Sequence, residues 1–415
     1  MRPRHLFPTL IAALLFILQG SSPLHQDHRY FPDPGPSWEH RAPSEVGMDA
    51  GRVEEAVAFA QEIETSGSAD LEAAHLTGFG REPLGDAVGP FRTRGPASGV
   101  IVRKGYIVAE WGDPHRVDMT FSVTKSFLSS TVGAAFDRGL IRSVQDTVAD
   151  YMAPIHALDP ASVMARDDRG RFPRRSQPFI PFASEHNRRI TWEHLLRQTS
   201  DWSGTLWGKP DWADRPARDP GQWLDRELRE PGTAYEYNDT RVNLLALAAT
   251  NVWRRPLPGV LREYVMDPIG ASPTWRWHGY ENSWVLLDGL EVQVPSGGGH
   301  WGGGMFISAR DMARFGYLTL NEGRWGDQQV LSQEWIGMAR SPEPANPGYG
   351  FMNFFLNTGQ RRLPSAPEEA FVHLGAGTNM VYADPVNDLV IVARWIDQRR
   401  MDELVEAVIA SIDER

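Results

Sequence analysis

The chain has 415 residues, a formal net charge of −11 and no cysteine. An acidic balance without a basic stripe argues against a nucleic-acid partner, and the missing thiols exclude disulfides, cysteine nucleophiles and cysteine metal sites. Its 41% hydrophobic content is ample for a core, and the length suggests two or three units or one large two-lobed one.

Residues 1–22 read as a targeting segment, with Arg2, Arg4 and His5 ahead of an apolar run over residues 6–18, and Gly20, Ser21 and Ser22 behind it. The run is short for a membrane span, so a secretory signal peptide is expected, with an uncleaved N-terminal anchor as the alternative. The expected location is therefore exported, periplasmic or secreted, with the membrane touched only through this segment if it stays attached. Residues 23–43 carry five prolines and read as a solvated linker. His25, Asp27 and His28 lie within it and lack the fixed geometry a metal needs.

Asp49 can cap a helix running to about residue 64, with Val53, Ala56, Val57, Ala60 and Ile63 on one face. The polar, glycine-rich stretch 65–96 reads as loop. Residues 99–102 and 106–110 are β-rich and meet at Lys104-Gly105, which predicts a hairpin. It leads into residues 121–136, where Ser122 stands near a helix start and Lys125 follows one turn later on the same face. An amine held against a serine hydroxyl can take its proton, and a helix N-terminus favours the negative charge that develops. Of 42 basic residues only Lys104, Lys125 and Lys209 are lysine. Arginine cannot serve as a base, so Lys125 is a position where a titratable amine has been kept. The spacing alone is weak evidence, because a snorkelling lysine on an ordinary helix reads the same way.

Residues 159–189 read as a surface excursion, and 190–200 as a short helix capped by Thr191. Trp202, Trp207, Trp212 and Trp223 suit either a pocket wall or plain packing. Residues 231–239 turn into an apolar helix over 241–252, and 275–294 read as paired strands. Residues 296–304 hold six glycines around His300 and Trp301, which permits close backbone approach without the features of a phosphate loop. Ser308 with Asp311 starts a helix over 310–320. Strands are expected at 371–374, 379–382 and 389–396, then a helix over 402–412.

In this order the landmarks resemble the serine β-lactamase and penicillin-binding-protein superfamily, on the branch of class C β-lactamases, esterases, D-aminopeptidases and amide hydrolases. Ser122-Val-Thr-Lys125 matches the first motif, residues 190–200 a second, and residues 231–239 with the following Asn-Leu-Leu the tyrosine-containing one. The glycine cluster followed by Ser308, Arg310 and Asp311 matches another, and His373-Leu-Gly375 stands at the last. The resemblance covers about residues 44–415. It implies an α/β (α+β) fold, an antiparallel sheet flanked by helices, with an α/β lobe at about 44–136 and 285–415 and a mostly helical lobe at about 137–284.

The resemblance further implies Ser122 as nucleophile, Lys125 as its activating partner and Tyr237 as second acid/base group, with Tyr235 as the competing tyrosine. A tyrosine of ordinary pKa about 10 acts as a base only where positive charge stabilises the phenolate, and Lys125 would supply it. The backbone N–H groups of Ser122 and Ala376, just past Gly375, would form the oxyanion hole. Two departures concern substrate binding. Asp239 stands where an amide is usual, can only accept hydrogen bonds, and either pairs with Lys125 or caps the next helix. His373 stands where β-lactamases usually carry lysine and is the weaker anchor for an anion. Asp239, His373, Gly375 and Ala376 are the expected substrate-contacting positions. The implied activity is that of an exported serine hydrolase that cleaves a small-molecule ester or amide through an acyl-enzyme, with no metal or organic cofactor. The alternatives are a penicillin-binding or sensor-type protein that is acylated without turnover, or a weak β-lactamase.

Overall fold

Along the strand Leu389–Arg394, Val390 and Val392 enter one apolar core while Leu389, Ile391 and Ala393 enter another, so this strand is covered on both faces and lies at the centre of a sheet. The computed structural model describes residues 29–35, 37–158, 178–219, 223 and 226–413. The sheet has six antiparallel strands in the order Phe355–Leu356, Phe371–Gly375, Asn379–Asp384, Leu389–Arg394, Ser98–Arg103, Tyr106–Trp111. The expected hairpin turns at Lys104 (φ 51°) and Gly105 (φ 87°), both left-handed as a tight two-residue turn demands.

One face of the sheet carries the two terminal helices. Asp49 accepts a hydrogen bond from the Arg52 N–H at 2.8 Å and starts Ala50–Glu62, which packs Val53, Ala56 and Ala60 into the core shared with Leu404, Val405 and Val408 of Met401–Ala410. The other face takes Ala309–Leu320, begun by Ser308, and beneath it the almost wholly buried helices Thr124–Asp137 and Asp239–Trp253. The last of these is capped by Asn238, whose side chain accepts from the Arg241 N–H. That leaves Asp239 free of capping duty.

A second antiparallel sheet joins Asp118–Met119, Gly304–Ile307, Arg276–Leu287 and His156–Leu158 in that order, with Leu290–Pro295 paired to Arg276–Leu287. Buried Arg394 links the sheets by donating to the carbonyls of Ile307 (2.5 Å) and Met119 (2.9 Å) and to the Asn379 amide oxygen (2.8 Å).

Two local expectations are corrected. The stretch 65–96 contains a helix, Leu71–Thr77, whose start is capped by Asp70, and a 3-10 turn, Phe79–Arg81. Seven residues are too few to display a helical period, and tertiary contact stabilises so short a helix. Residues 29–43 are not a solvated linker. Tyr30 stacks on Tyr106 with ring centroids 4.3 Å apart, Arg314 donates to the Asp33 and Gly35 carbonyls, and Trp38 is 4% exposed with its indole N–H 2.7 Å from the Gly105 carbonyl. Prolines keep the strap extended without a helix or strand ladder, which makes it read as linker in sequence. Residues 1–28, with the export segment and His25, Asp27 and His28, and most of the excursion at 159–189 lie outside the described residues. Among the described residues no helix is long and apolar enough to cross a membrane.

Because Trp38 is a buried anchor, Trp38→Ala should lower unfolding free energy by about 3–5 kcal/mol in denaturant melts. A change under about 0.5 kcal/mol, the size of an ordinary surface substitution, would mean that the strap is detached in solution.

Candidate active site

Ser122 sits in a 3-10 turn, Phe121–Val123, that runs straight into the helix Thr124–Asp137. Phe121 before it has φ 47°, a left-handed conformation that costs a bulky residue of order 1–3 kcal/mol. Two hydrogen bonds brace the turn against the second sheet: the Thr120 N–H donates to the Met305 carbonyl, and the Met305 N–H donates to the Thr124 hydroxyl, each at 2.9 Å.

Lys125, wholly buried, places Nζ 2.9 Å from Ser122 Oγ and 2.7 Å from Asp239 Oδ1. The Ser122 side chain lies close enough to the Tyr237 hydroxyl to lower its pKa, and the Lys125 nitrogen lies 4.6 Å from the centre of the Tyr237 ring. Tyr235 packs on Tyr349 instead, with ring centroids 5.1 Å apart. At the sheet edge, a Cβ on Gly375 would fall 2.1 Å from the Thr120 carbonyl and 3.2 Å from the Ser122 nitrogen. The backbone at Gly375-Ala376 therefore lies against the Ser122 N–H, the juxtaposition that a two-donor oxyanion hole requires.

The family model for Beta-lactamase matches residues 89–403 of this chain. The chain belongs to the β-lactamase family. Solved structures share its fold: a β-lactamase from Mycobacterium bovis has a TM-score of 0.50 at 17% identity, over 77% of this chain and 95% of that one. EstCE1, described as a hydrolase with promiscuous acyltransferase activity, has a TM-score of 0.52 at 15% identity, over 88% and 99%. A penicillin-binding protein homologue from Caulobacter crescentus has 0.50 at 17%, over 76% and 92%. At these identities the likeness is one of fold. No curated protein matches the chain in sequence.

In this member of the β-lactamase family the lysine–aspartate pair is the centre of a larger charge cluster. Arg215 places Nη1 2.5 Å from Asp214 and 3.0 Å from Asp239, and Nη2 3.2 Å from His300 Nδ1. His300 Nε2 reaches Glu82 at 2.9 Å and Asp214 at 3.4 Å, and Asp214 accepts the Asp239 backbone N–H. Glu82, Asp214 and His300 bring ligand-type atoms within 4.8 Å of one another, donors of the kind that hold a cation, and Arg215 already provides one there. Burial works to raise the Asp239 carboxyl, but Lys125 and Arg215 outweigh it and hold the group below the usual carboxylate range. Asp214 goes the other way, pushed up by burial and by the charge of Asp239. Tyr237 is pushed up by burial first and by Asp239 second, against the opposing pull of Arg215. The resting phenol is consequently neutral.

His373 is also corrected. It lies on the same strand face as Phe371, turned into the core and away from any ligand. Its ring contacts Phe315, Phe354 and Phe371, and its Nδ1 lies 2.9 Å from the Ser126 hydroxyl and 3.2 Å from the Asn353 carbonyl. Burial lowers its pKa to about 3, so it is a neutral core residue that cannot hold an anion. Ala376 stays at the sheet edge, and Asp239 points at Lys125 rather than outward.

Sequence reasoning missed Arg215 and Asp214, which sit in a tryptophan- and proline-punctuated stretch with no motif. It also missed the purpose of the glycine cluster. A Cβ at Gly298 would fall 1.8 Å from Asp239 Oδ1 and 2.3 Å from Lys125 Nζ, so only glycine leaves room for the pair. Gly298→Ala should therefore destabilise the protein by about 3–5 kcal/mol, the cost of breaking a buried ion pair. A denaturant midpoint equal to wild type would show that the pair does not sit there.

His373 binds a proton in the unfolded chain below about pH 6.5 and in the folded one only below about 3. Between those values the unfolded state holds one more proton, so this residue makes stability fall as pH falls, by about 1.4 kcal/mol per unit. His373→Asn should make the slope of unfolding free energy between about pH 4 and 6 shallower by roughly that amount, compared with wild type. An unchanged slope would contradict the buried, neutral placement.

Proposed function

We propose that this chain is a serine hydrolase that cleaves an ester or amide through an acyl-enzyme on Ser122. The observation that supports the reading is one hydroxyl beside both an amine and a phenol, with the Gly375 backbone close to the Ser122 N–H. In this mechanism Lys125, an ammonium in its resting pair with Asp239, first sheds one proton to solvent, and the resulting amine takes the Ser122 proton as Oγ attacks the carbonyl carbon. Arg215, at 3.0 Å, stays with Asp239 while Lys125 exchanges its proton, so the carboxylate is never left uncompensated. The Ser122 and Ala376 N–H groups receive the carbonyl oxygen as it becomes an oxyanion.

Tyr237, neutral at rest, acts first as acid. It gives its proton to the leaving group, and the resulting phenolate faces both Lys125, now protonated, and Arg215, whose guanidinium carbon lies 5.0 Å from the ring centre. In deacylation the phenolate takes a proton from water, the hydroxide attacks the acyl carbonyl, and Lys125 returns the proton to Ser122, reversing the acylation roles. Protons balance over the cycle, and no metal or organic cofactor takes part. The reading includes export, for which the charged start and apolar run of residues 1–22 are the support.

Intact-mass analysis after fluorophosphonate treatment should give a single adduct on the wild type and none on Ser122→Ala. Lys125→Ala and Tyr237→Phe should each lower kcat/KM for p-nitrophenyl acetate by about 10²–10⁴-fold. An adduct that survives in Ser122→Ala, or full activity in Tyr237→Phe, would overturn the assignment. An acyl adduct that persists for hours on the wild type would favour the penicillin-binding, non-turnover alternative.

A further inference from the structure

A cavity of about 300 Å³ opens beside the serine turn, in the lower range for small-molecule sites. Phe121, the residue before Ser122, and Ala376, the second backbone donor, form part of its wall. Its apolar lining also includes Trp395, just past the end of the central strand, and Leu71, Ala74 and Phe79. Leu71, Ala74 and Phe79 precede residue 89, where the family match begins.

The cavity is apolar, and the charge at its edge is already spent. Arg94 lines it, but its two Nη nitrogens donate to the Glu64 carboxylate (2.8 Å) and to the carbonyls of Gly95, Thr65 and Gly67. His75, also in the wall, bonds the Gly85 carbonyl at 2.7 Å and is held neutral by burial. A carboxylate placed here would be desolvated without a free cation to meet it. Orientation follows from the proton donor. Tyr237 protonates the leaving group, so that half of the substrate lies toward the phenol, while the acyl half extends past Ala376 and Phe121 into the cavity.

Resting on the hydrolase reading above, we propose that this cavity is the acyl-binding site and that it selects a neutral, apolar acyl group, a medium-length aliphatic chain or a single aromatic ring. The test varies the acyl group under one leaving group: p-nitrophenyl acetate, hexanoate and benzoate, with the mono-p-nitrophenyl ester of adipic acid as the carboxylate-ended six-carbon control. On the wild type, kcat/KM should be at least about tenfold higher for hexanoate or benzoate than for acetate, given the gain per buried methylene. The adipate half-ester should fall to the acetate value or below. Ala74→Trp, at a half-buried position where a short helix lines the cavity, should fill it and lower the hexanoate-to-acetate ratio about tenfold while the melting temperature reports that the fold is intact. A flat series, a preference for the adipate half-ester, or a ratio unmoved by Ala74→Trp would overturn the proposal.

A second arm does not depend on turnover. Calorimetry on Ser122→Ala should show hexanamide binding at least about tenfold more tightly than hexanoate, with Ala74→Trp abolishing the difference. If no ester is cleaved but hexanamide still binds selectively, the hydrolase reading fails and the neutral, apolar character of the cavity stands. If esters are cleaved and hexanamide does not bind, the cavity proposal fails alone.

Discussion

Lys125 and Asp239 are 114 positions apart in the chain, start two different buried helices, and meet at 2.7 Å with essentially no solvent exposure. Removing both charges from water costs several kcal/mol per ion, and a single contact between them does not offset it. The deficit is met by added partners. Arg215 takes the second oxygen of Asp239, and the glycine cluster removes every side-chain atom that would crowd the pair. The arrangement fixes the two helices against each other and holds the lysine nitrogen where the serine hydroxyl needs it. Stability and chemistry are therefore coupled at one point, and the same carboxylate that anchors the lysine also keeps the neighbouring phenol protonated.

The strain at Phe121 belongs to the same design. A left-handed aromatic residue aims Ser122 out of its turn, and the surrounding structure must over-determine it to keep it there. Strand Gly304–Ile307 does so through Met305, and the edge of the central sheet closes in through Gly375. Two sheets and two helices thus converge on one hydroxyl. Buried Arg394, which bonds carbonyls at Met119 and Ile307, ties those sheets together a few residues away.

Outside this centre, segments ahead of the family match pack over the core. The helix Leu71–Thr77 and Phe79 cover the cleft, and Phe79 packs on His300 with ring centroids 4.3 Å apart. The cap therefore touches the charge cluster as well as the cavity. The strap described over residues 29–35 and 37–43 is held at the hairpin by Trp38 and Tyr30.

What the sequence determined by itself is what local physics encodes. β-rich apolar runs marked the strands at 99–110 and 371–396, Asp49, Thr191 and Ser308 marked helix starts, and three-residue spacing put Ser122 and Lys125 on one face. Ordered motifs sufficed for the family and picked out Tyr237, whose ring the structure sets 4.6 Å from the Lys125 nitrogen. Tertiary structure alone decided the rest, because it depends on which distant groups become neighbours. Nothing local distinguishes a histidine that faces a ligand from one whose strand parity turns it into a phenylalanine core, as at residue 373. Nor does an arginine among tryptophans announce that it will sit between two buried carboxylates, as Arg215 does. Protonation state follows from burial and the sum of nearby charges, and both of those exist only once the chain has closed around them.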